Sequence, residues 1–197
     1  MKTLFIAFEG PDGSGLSTQA ELLEKWFKSK NTKVLLTKEP TNSIIGGVIR
    51  SILKNELKTD MKTLALLFSA DRAHHLNREI EPALKNGYVV ICDRYILSTL
   101  AFNVENENLE WLKQLNSKFR APDLTFIMDV PGEICVERIK NSRFGIEFFE
   151  EKEKLELIRK NYKDLKDYFP NTFIINGYKR EPEEIHKEIV EIVKGVK

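Results

Sequence analysis

Short apolar runs alternate along this chain with stretches whose apolar residues recur every three or four positions. The runs at 2–8, 33–37, 88–93, 124–130 and 172–175 read as buried strands. Between the first two, Ala20, Leu23 and Phe27, with Leu22 and Trp26 beside them, form an apolar stripe at helical spacing. Helices are likewise predicted over 44–53, 61–85, from 96 onward, over 107–119, over 132–140 and over 181–193. Lys152, Leu155, Ile158, Tyr162, Leu165 and Phe169 keep close to the same period and predict one more. The chain turns at Glu39-Pro40, since proline cannot extend a central strand, and again at Asn86-Gly87. Residues 141–146 break the pattern. Five strands alternating with helices predict an α/β fold, a five-stranded parallel sheet with helices on both faces.

Composition narrows the class. With 197 residues and 42% hydrophobic content the chain can bury one substantial core, and no linker divides it, so 1–197 is expected to be a single domain. Lys+Arg 31 against Asp+Glu 30 leaves a formal charge of +1, so a broad electrostatic grip on nucleic acid is not indicated. Cys92 and Cys135 lie inside separate apolar stretches and read as two buried thiols of a reducing compartment. No run approaches the roughly 20 apolar residues of a membrane span, and the opening residues are too few for a signal peptide. A soluble, cytoplasmic protein is expected.

The candidate chemistry begins where the first strand ends. Gly10, Pro11, Asp12, Gly13, Ser14, Gly15, Leu16, Ser17 and Thr18 match the spacing of a phosphate-binding loop, except that Leu16 stands where its lysine belongs. The glycines let main-chain N–H groups close around phosphate oxygens, and the following helix turns its positive end toward them. The plain alternative is a glycine-rich turn between a strand and a helix. In parallel sheets ligands bind beyond the carboxyl ends of the strands, so 9–17, Glu39-Pro40, Asp93-Arg94 and 176–178 should share one rim. Asp93 ends an apolar strand and could hold Mg²⁺ with the Ser17 hydroxyl opposite, because that ion prefers oxygen ligands. A strand-end ion pair with Arg94 is the other reading of the same residues.

Taken in order, residues 8–15, 37–40, 68–74, 93–95 with 98–102, and 138–143 resemble the thymidylate kinases of the nucleoside monophosphate kinase group. The resemblance implies a P-loop kinase with a short lid at about 138–150, using ATP as co-substrate with Mg²⁺ and pairing as a homodimer. Phe68 and Arg72 lie one helical turn apart, so ring and guanidinium share a face; the resemblance assigns them to the thymine base. Arg94, Ser98 and Phe102 also share a face, with Thr99 adjoining, and the resemblance gives them the monophosphate, the base edge and the pocket wall. Asp12 is similar to the carboxylate that meets the sugar hydroxyl and helps place the acceptor phosphate. Glu39 and Pro40 match the turn beside the acceptor, where Lys38 replaces the usual arginine, and Arg50 is a candidate for the same monophosphate. Arg143, with Arg138 or Lys140, is expected to close on the transferred phosphoryl group and offset the charge missing at Leu16.

The expected activity is therefore phosphoryl transfer from ATP to thymidine monophosphate. A nucleotide-binding sensor of little catalytic power and a kinase for another nucleoside monophosphate are the alternatives.

Overall fold

The computed structural model describes residues 3–142 and 151–196. Its centre is a sheet of β1 (Phe5–Glu9), β2 (Val34–Lys38), β3 (Val89–Asp93), β4 (Leu124–Asp129) and β5 (Thr172–Asn176). The order is β2-β3-β1-β4-β5 and every pairing is parallel. This is the sheet that the alternating pattern predicts.

All five residues of β1 are buried, as a central strand covered on both faces requires. Alternation sends Ile6 and Phe8 to one face, where they meet Leu23 and Phe27 of α1 (Leu16–Ser29) and Ile189 and Val193 of α9 (Pro182–Gly195). Phe5 and Ala7 face the other layer, built from α3 (Met61–His75), α5 (Ile96–Asn103), α6 (Leu109–Asn116) and α8 (Lys152–Asp164). Each large side chain buried there stabilises the fold by about 1.5–3 kcal/mol relative to exposure. No described helix is long and apolar enough to cross a membrane.

Boundaries move where local chemistry intervenes. The helix expected over 61–85 is split: α3 ends at His75, a wide π turn covers Leu76–Ile80, and α4 (Glu81–Lys85) follows. Pro82 explains the break, because it lacks an N–H and its ring collides with the carbonyl four residues back unless the preceding turn opens. The first strand starts at Phe5 and extends to Glu9. The helix expected over 132–140 continues to Ser142 as α7 (Gly132–Ser142), and 143–150 of the expected lid lies outside the described residues. α8 ends at Asp164, short of Phe169, which still packs on the same core from the turn beyond. Both cysteines are free and buried.

Two helix starts that frame the site are capped from the sequence. The Asp60 carboxylate accepts from the Thr63 amide at 2.6 Å ahead of α3, and the Ser43 hydroxyl accepts from the Gly46 amide at 3.2 Å ahead of α2 (Ile44–Leu53). Asp71 ties the two together, accepting from the Thr41 amide at 2.7 Å and the Thr41 hydroxyl at 2.6 Å.

The neighbouring glycines of α2 meet different surroundings. A Cβ on Gly46 would lie 2.0 Å from the Thr41 carbonyl oxygen, whereas one on Gly47 meets only the Arg50 side chain at 3.9 Å. Asp71 holds Thr41, so that carbonyl has little room to retreat. Gly46→Ala should therefore destabilise by about 1–3 kcal/mol through overpacking. Gly47→Ala should stabilise by about 0.5–1 kcal/mol through helix propensity. Urea unfolding of the two variants checks this, and shifts of the same sign would contradict it.

Candidate active site

The chain leaves β1 toward β2 on one side and leaves β4 toward β5 on the other, so the loops after these adjacent strands diverge and open a crevice. The glycine loop fills its floor. Ser14 is buried and donates its hydroxyl to the Pro11 carbonyl at 2.7 Å, closing the loop on itself. Gly13 has φ 76°, and a Cβ there would lie 2.5 Å from the Cys135 carbonyl oxygen of α7, so only glycine fits so close a contact. Gly15 caps α1 at φ 96° with no side-chain hydrogen bond to the first turn. The leading amides of α1 are thus left for an anion.

A cavity of about 860 Å³ spreads from this helix start, lined by 11–19 together with Lys38, Asp93, Arg94, Met128, Arg138, Arg180 and Pro182. Leu16 borders it but is only 5% exposed, packed in the core that α1 makes with the sheet. That position delivers no charge. Ser17 donates its hydroxyl to Asp93 at 2.5 Å, which sets the two oxygens side by side. Both offer hard oxygen ligands at the cavity edge, a donor set that fits Mg²⁺.

A second cavity of about 220 Å³ adjoins the first, and Asp12, Lys38 and Arg94 line both. Glu39, Pro40, Arg50, Phe68, Ser98, Phe102 and Asn103 also line it. Arg94 stands at the partition with a left-handed backbone, φ 72°, which is costly for a residue with a Cβ. From there its guanidinium donates to the Gly10 carbonyl at 2.7 Å and to Asp12 at 2.5 Å, and lies 5.4 Å from the Phe102 ring centroid. Burial alone would lower its pKa, but Asp12, Tyr162, Asp93 and Glu9 hold it above the ordinary value. It stays charged. Arg50 donates to the Thr41 carbonyl and, at 3.3 Å, to the Pro40 carbonyl.

Arg72 and Thr99, expected at the base, do not line this cavity. Arg72 is completely buried and donates to Glu39 at 2.7 Å, Asn116 at 2.5 Å, the Tyr95 carbonyl at 2.9 Å and the Thr99 hydroxyl at 3.0 Å. A guanidinium in a dry interior needs a carboxylate, and Glu39 supplies it. Helical spacing to Phe68 places Arg72 on the right element but does not reveal this partner. The loop 176–178 likewise lies beside the donor cavity, whose lining from that region comes from Arg180, Glu181 and Pro182. Arg138 lines the donor cavity and donates to the Gly177 carbonyl at 3.2 Å, while Arg143 lies outside the described residues.

In the sequence, Glu9 falls on the rim without a role, and Tyr162 and Asn103 have no place in the site. Glu9, 1% exposed, accepts from the amides of Tyr95 at 3.1 Å and Leu97 at 2.9 Å and from the Ser98 hydroxyl at 2.5 Å. It thereby fastens the start of α5 to the end of β1. An acid closing the run Phe-Ile-Ala-Phe was the available signal. Tyr162 of α8 meets the Ser98 hydroxyl at 2.8 Å, and nothing local marks it. Asn103 donates to the Thr99 carbonyl at 2.7 Å and leaves its Oδ1 buried without a partner on the wall of the smaller cavity.

Comparison with known proteins agrees with this geometry. A family model described as thymidylate kinase matches residues 8–189. A probable thymidylate kinase of Pyrococcus horikoshii is 44% identical over 200 residues, covering 98% of this chain and 97% of that one. A thymidylate kinase of Thermosipho africanus is 38% identical, covering 97% of this chain and 98% of its own. The solved structure of thymidylate kinase from Candida albicans superposes with a TM-score of 0.85 at 25% identity, covering 98% of this chain and 92% of that one.

Burial pushes the Glu9 carboxyl up to about 7 from 4.5, partly opposed by the Ser98 hydrogen bond and the charge of Arg94. Between pH 4.5 and 7 the folded chain keeps a proton that the unfolded chain has lost, so stability falls as pH rises through that window. The span corresponds to about 3 kcal/mol at most. Glu9→Gln keeps the carbonyl acceptor for both amides and offers an N–H to Ser98, imitating the protonated acid. It should flatten this part of the stability profile and exceed the parent protein at pH 8. Denaturant titrations of both across the pH range check this, and an unchanged slope would contradict it.

Proposed function

The chain belongs to the thymidylate kinase family, and on that premise we propose that it transfers the γ-phosphoryl group of ATP to thymidine monophosphate, giving ADP and thymidine diphosphate. The observation that carries this reading is the shared partition of Asp12, Lys38 and Arg94 between a large cavity over a helix start and a smaller one lined by aromatic rings. Two phosphorylated substrates entering from either side would meet there.

In the donor cavity the amides of 13–18 cradle the triphosphate, and the helix dipole favours its charge. In the acceptor cavity Phe68 and Phe102 supply faces for the base, and the unpartnered Asn103 Oδ1 offers an acceptor that suits the N3–H of thymine. Arg72 and Thr99 brace that wall from behind, Arg72 holding Glu39, which lines it. Arg94 and Arg50 point positive charge at the acceptor phosphate, and Asp12 orients Arg94 and receives the sugar hydroxyl. The reaction needs no covalent enzyme intermediate, so positioning, charge neutralisation and exclusion of water provide the rate. Ser17 and Asp93 would hold Mg²⁺, which when bound neutralises charge on the β- and γ-phosphates. Arg138 and Arg143 would approach the same groups from the lid side.

A homodimer is part of this reading. Ile44 at 89% exposure, with Val48 and Leu66 also open, leaves apolar surface on α2 and α3 that a second copy could cover.

Steady-state assay with ATP, Mg²⁺ and thymidine monophosphate tests the proposal. Turnover is expected, with thymidine monophosphate outcompeting the other deoxynucleoside monophosphates; nucleotide binding without turnover would contradict it. Asn103→Leu, which fills the same space without the acceptor, should raise KM for thymidine monophosphate on the order of 10-fold or more while leaving KM for ATP nearly unchanged. Arg143→Ala should lower kcat, and unchanged turnover would remove that residue from the mechanism.

A further inference from the structure

The glycine loop has kept its backbone and lost its ammonium. Leu16 lies in the α1 core, so the charge normally set beside the transferred phosphoryl group must come from elsewhere in the crevice. Four basic side chains line the donor cavity: Lys38, Arg94, Arg138 and Arg180. Arg180 is engaged by Glu184 at 2.9 Å and Glu188 at 2.6 Å, Arg94 by Asp12, and Arg138 by the Gly177 carbonyl. The Lys38 side chain makes no ion pair or hydrogen bond to a described residue.

Its placement favours the missing role. Lys38 is the last residue of β2, paired in register with Asp93. Strand alternation puts it on the face shared by Val34 and Leu36, both packed against the α1 core. That face looks toward the helix start where Leu16 and Ser17 sit. Lys38 also borders three spaces at once: the donor cavity, the acceptor cavity and a further one of about 370 Å³ between α1 and β2. The third gives a long flexible side chain room to swing while remaining beside the partition.

We infer that Lys38 supplies, from the rim of β2, the cation that Leu16 withdraws from the loop, and that it acts on the phosphoryl group in transit. This rests on the kinase reading given above. An oxygen of the acceptor monophosphate forms a new bond to the γ-phosphorus as the bond from that phosphorus to the β–γ bridging oxygen breaks, and the electron pair leaves on ADP. Lys38 transfers no proton in this step; its ammonium offsets charge on the bridging and equatorial oxygens. Exposed at a strand end, it can be replaced without opening the core.

The test compares the parent protein with Lys38→Met, Lys38→Arg and the double variant Lys38→Met, Leu16→Lys, each checked for an unchanged melting temperature. Lys38→Met should lower kcat on the order of 10²-fold with a much smaller change in KM for ATP, because main-chain amides still hold the triphosphate. Lys38→Arg should keep most of the activity. The double variant should regain a large part of the loss, since the lysine returns by its ordinary route. A kcat for Lys38→Met within about threefold of the parent, or a double variant no faster than Lys38→Met, would overturn the inference. The parent turnover measured alongside separates the two failures: an inactive parent defeats the kinase reading, whereas an active parent with an indifferent Lys38 defeats only this one.

Discussion

An α-helix that begins without a side-chain cap keeps its first amide donors unspent, and the architecture around α1 follows from leaving them so. Gly15 occupies the capping position in a left-handed conformation and contributes no oxygen of its own. Three other helices begin with a side-chain cap, Ser43, Asp60 and Asn108 each accepting an amide. At the helix start that faces the donor cavity the capping residue is glycine instead. β1, buried from end to end, fixes where that helix starts, and the parting of the loops after β1 and β4 opens the space above it.

Around this anion seat the protein spends conformational and electrostatic strain. Arg94 takes a backbone conformation unfavourable for it, and in exchange its guanidinium bridges the loop carbonyl of Gly10 and the carboxylate of Asp12 across two cavities. Glu9 is buried and holds the start of α5 so that Ser98 and Phe102 stay beside that guanidinium. Both features oppose stability on their own. They persist because the strands beneath them are packed on both faces by two separate apolar clusters.

The sheet was legible because a parallel strand must be apolar on both faces, and the runs ending at Asp93 and Asp129 have that character. The loop was legible because glycine spacing is a local property. Eight of the ten residues expected around the acceptor line one cavity. Ser98 and Phe102 share a face of α5, and Arg94, ahead of that helix and in a left-handed conformation, joins them through its own backbone turn and not by helical spacing. Spacing does not show how Arg72 is held, because its partners are Glu39, thirty-three positions away, and Asn116, forty-four away. Tyr162 reaches Ser98 across sixty-four positions and no periodicity encodes that meeting. The split of the long helix was written in Pro82, but a proline in a helical run signals a disturbance without saying that the turn before it will widen.

Main-chain amides at the head of α1 must grip a polyphosphate although no lysine accompanies them. Isothermal titration of the purified protein with ATP in the presence of Mg²⁺ tests this most directly. Saturable binding at one site per chain is expected, with ADP competing for it. Absence of binding by either nucleotide would contradict it.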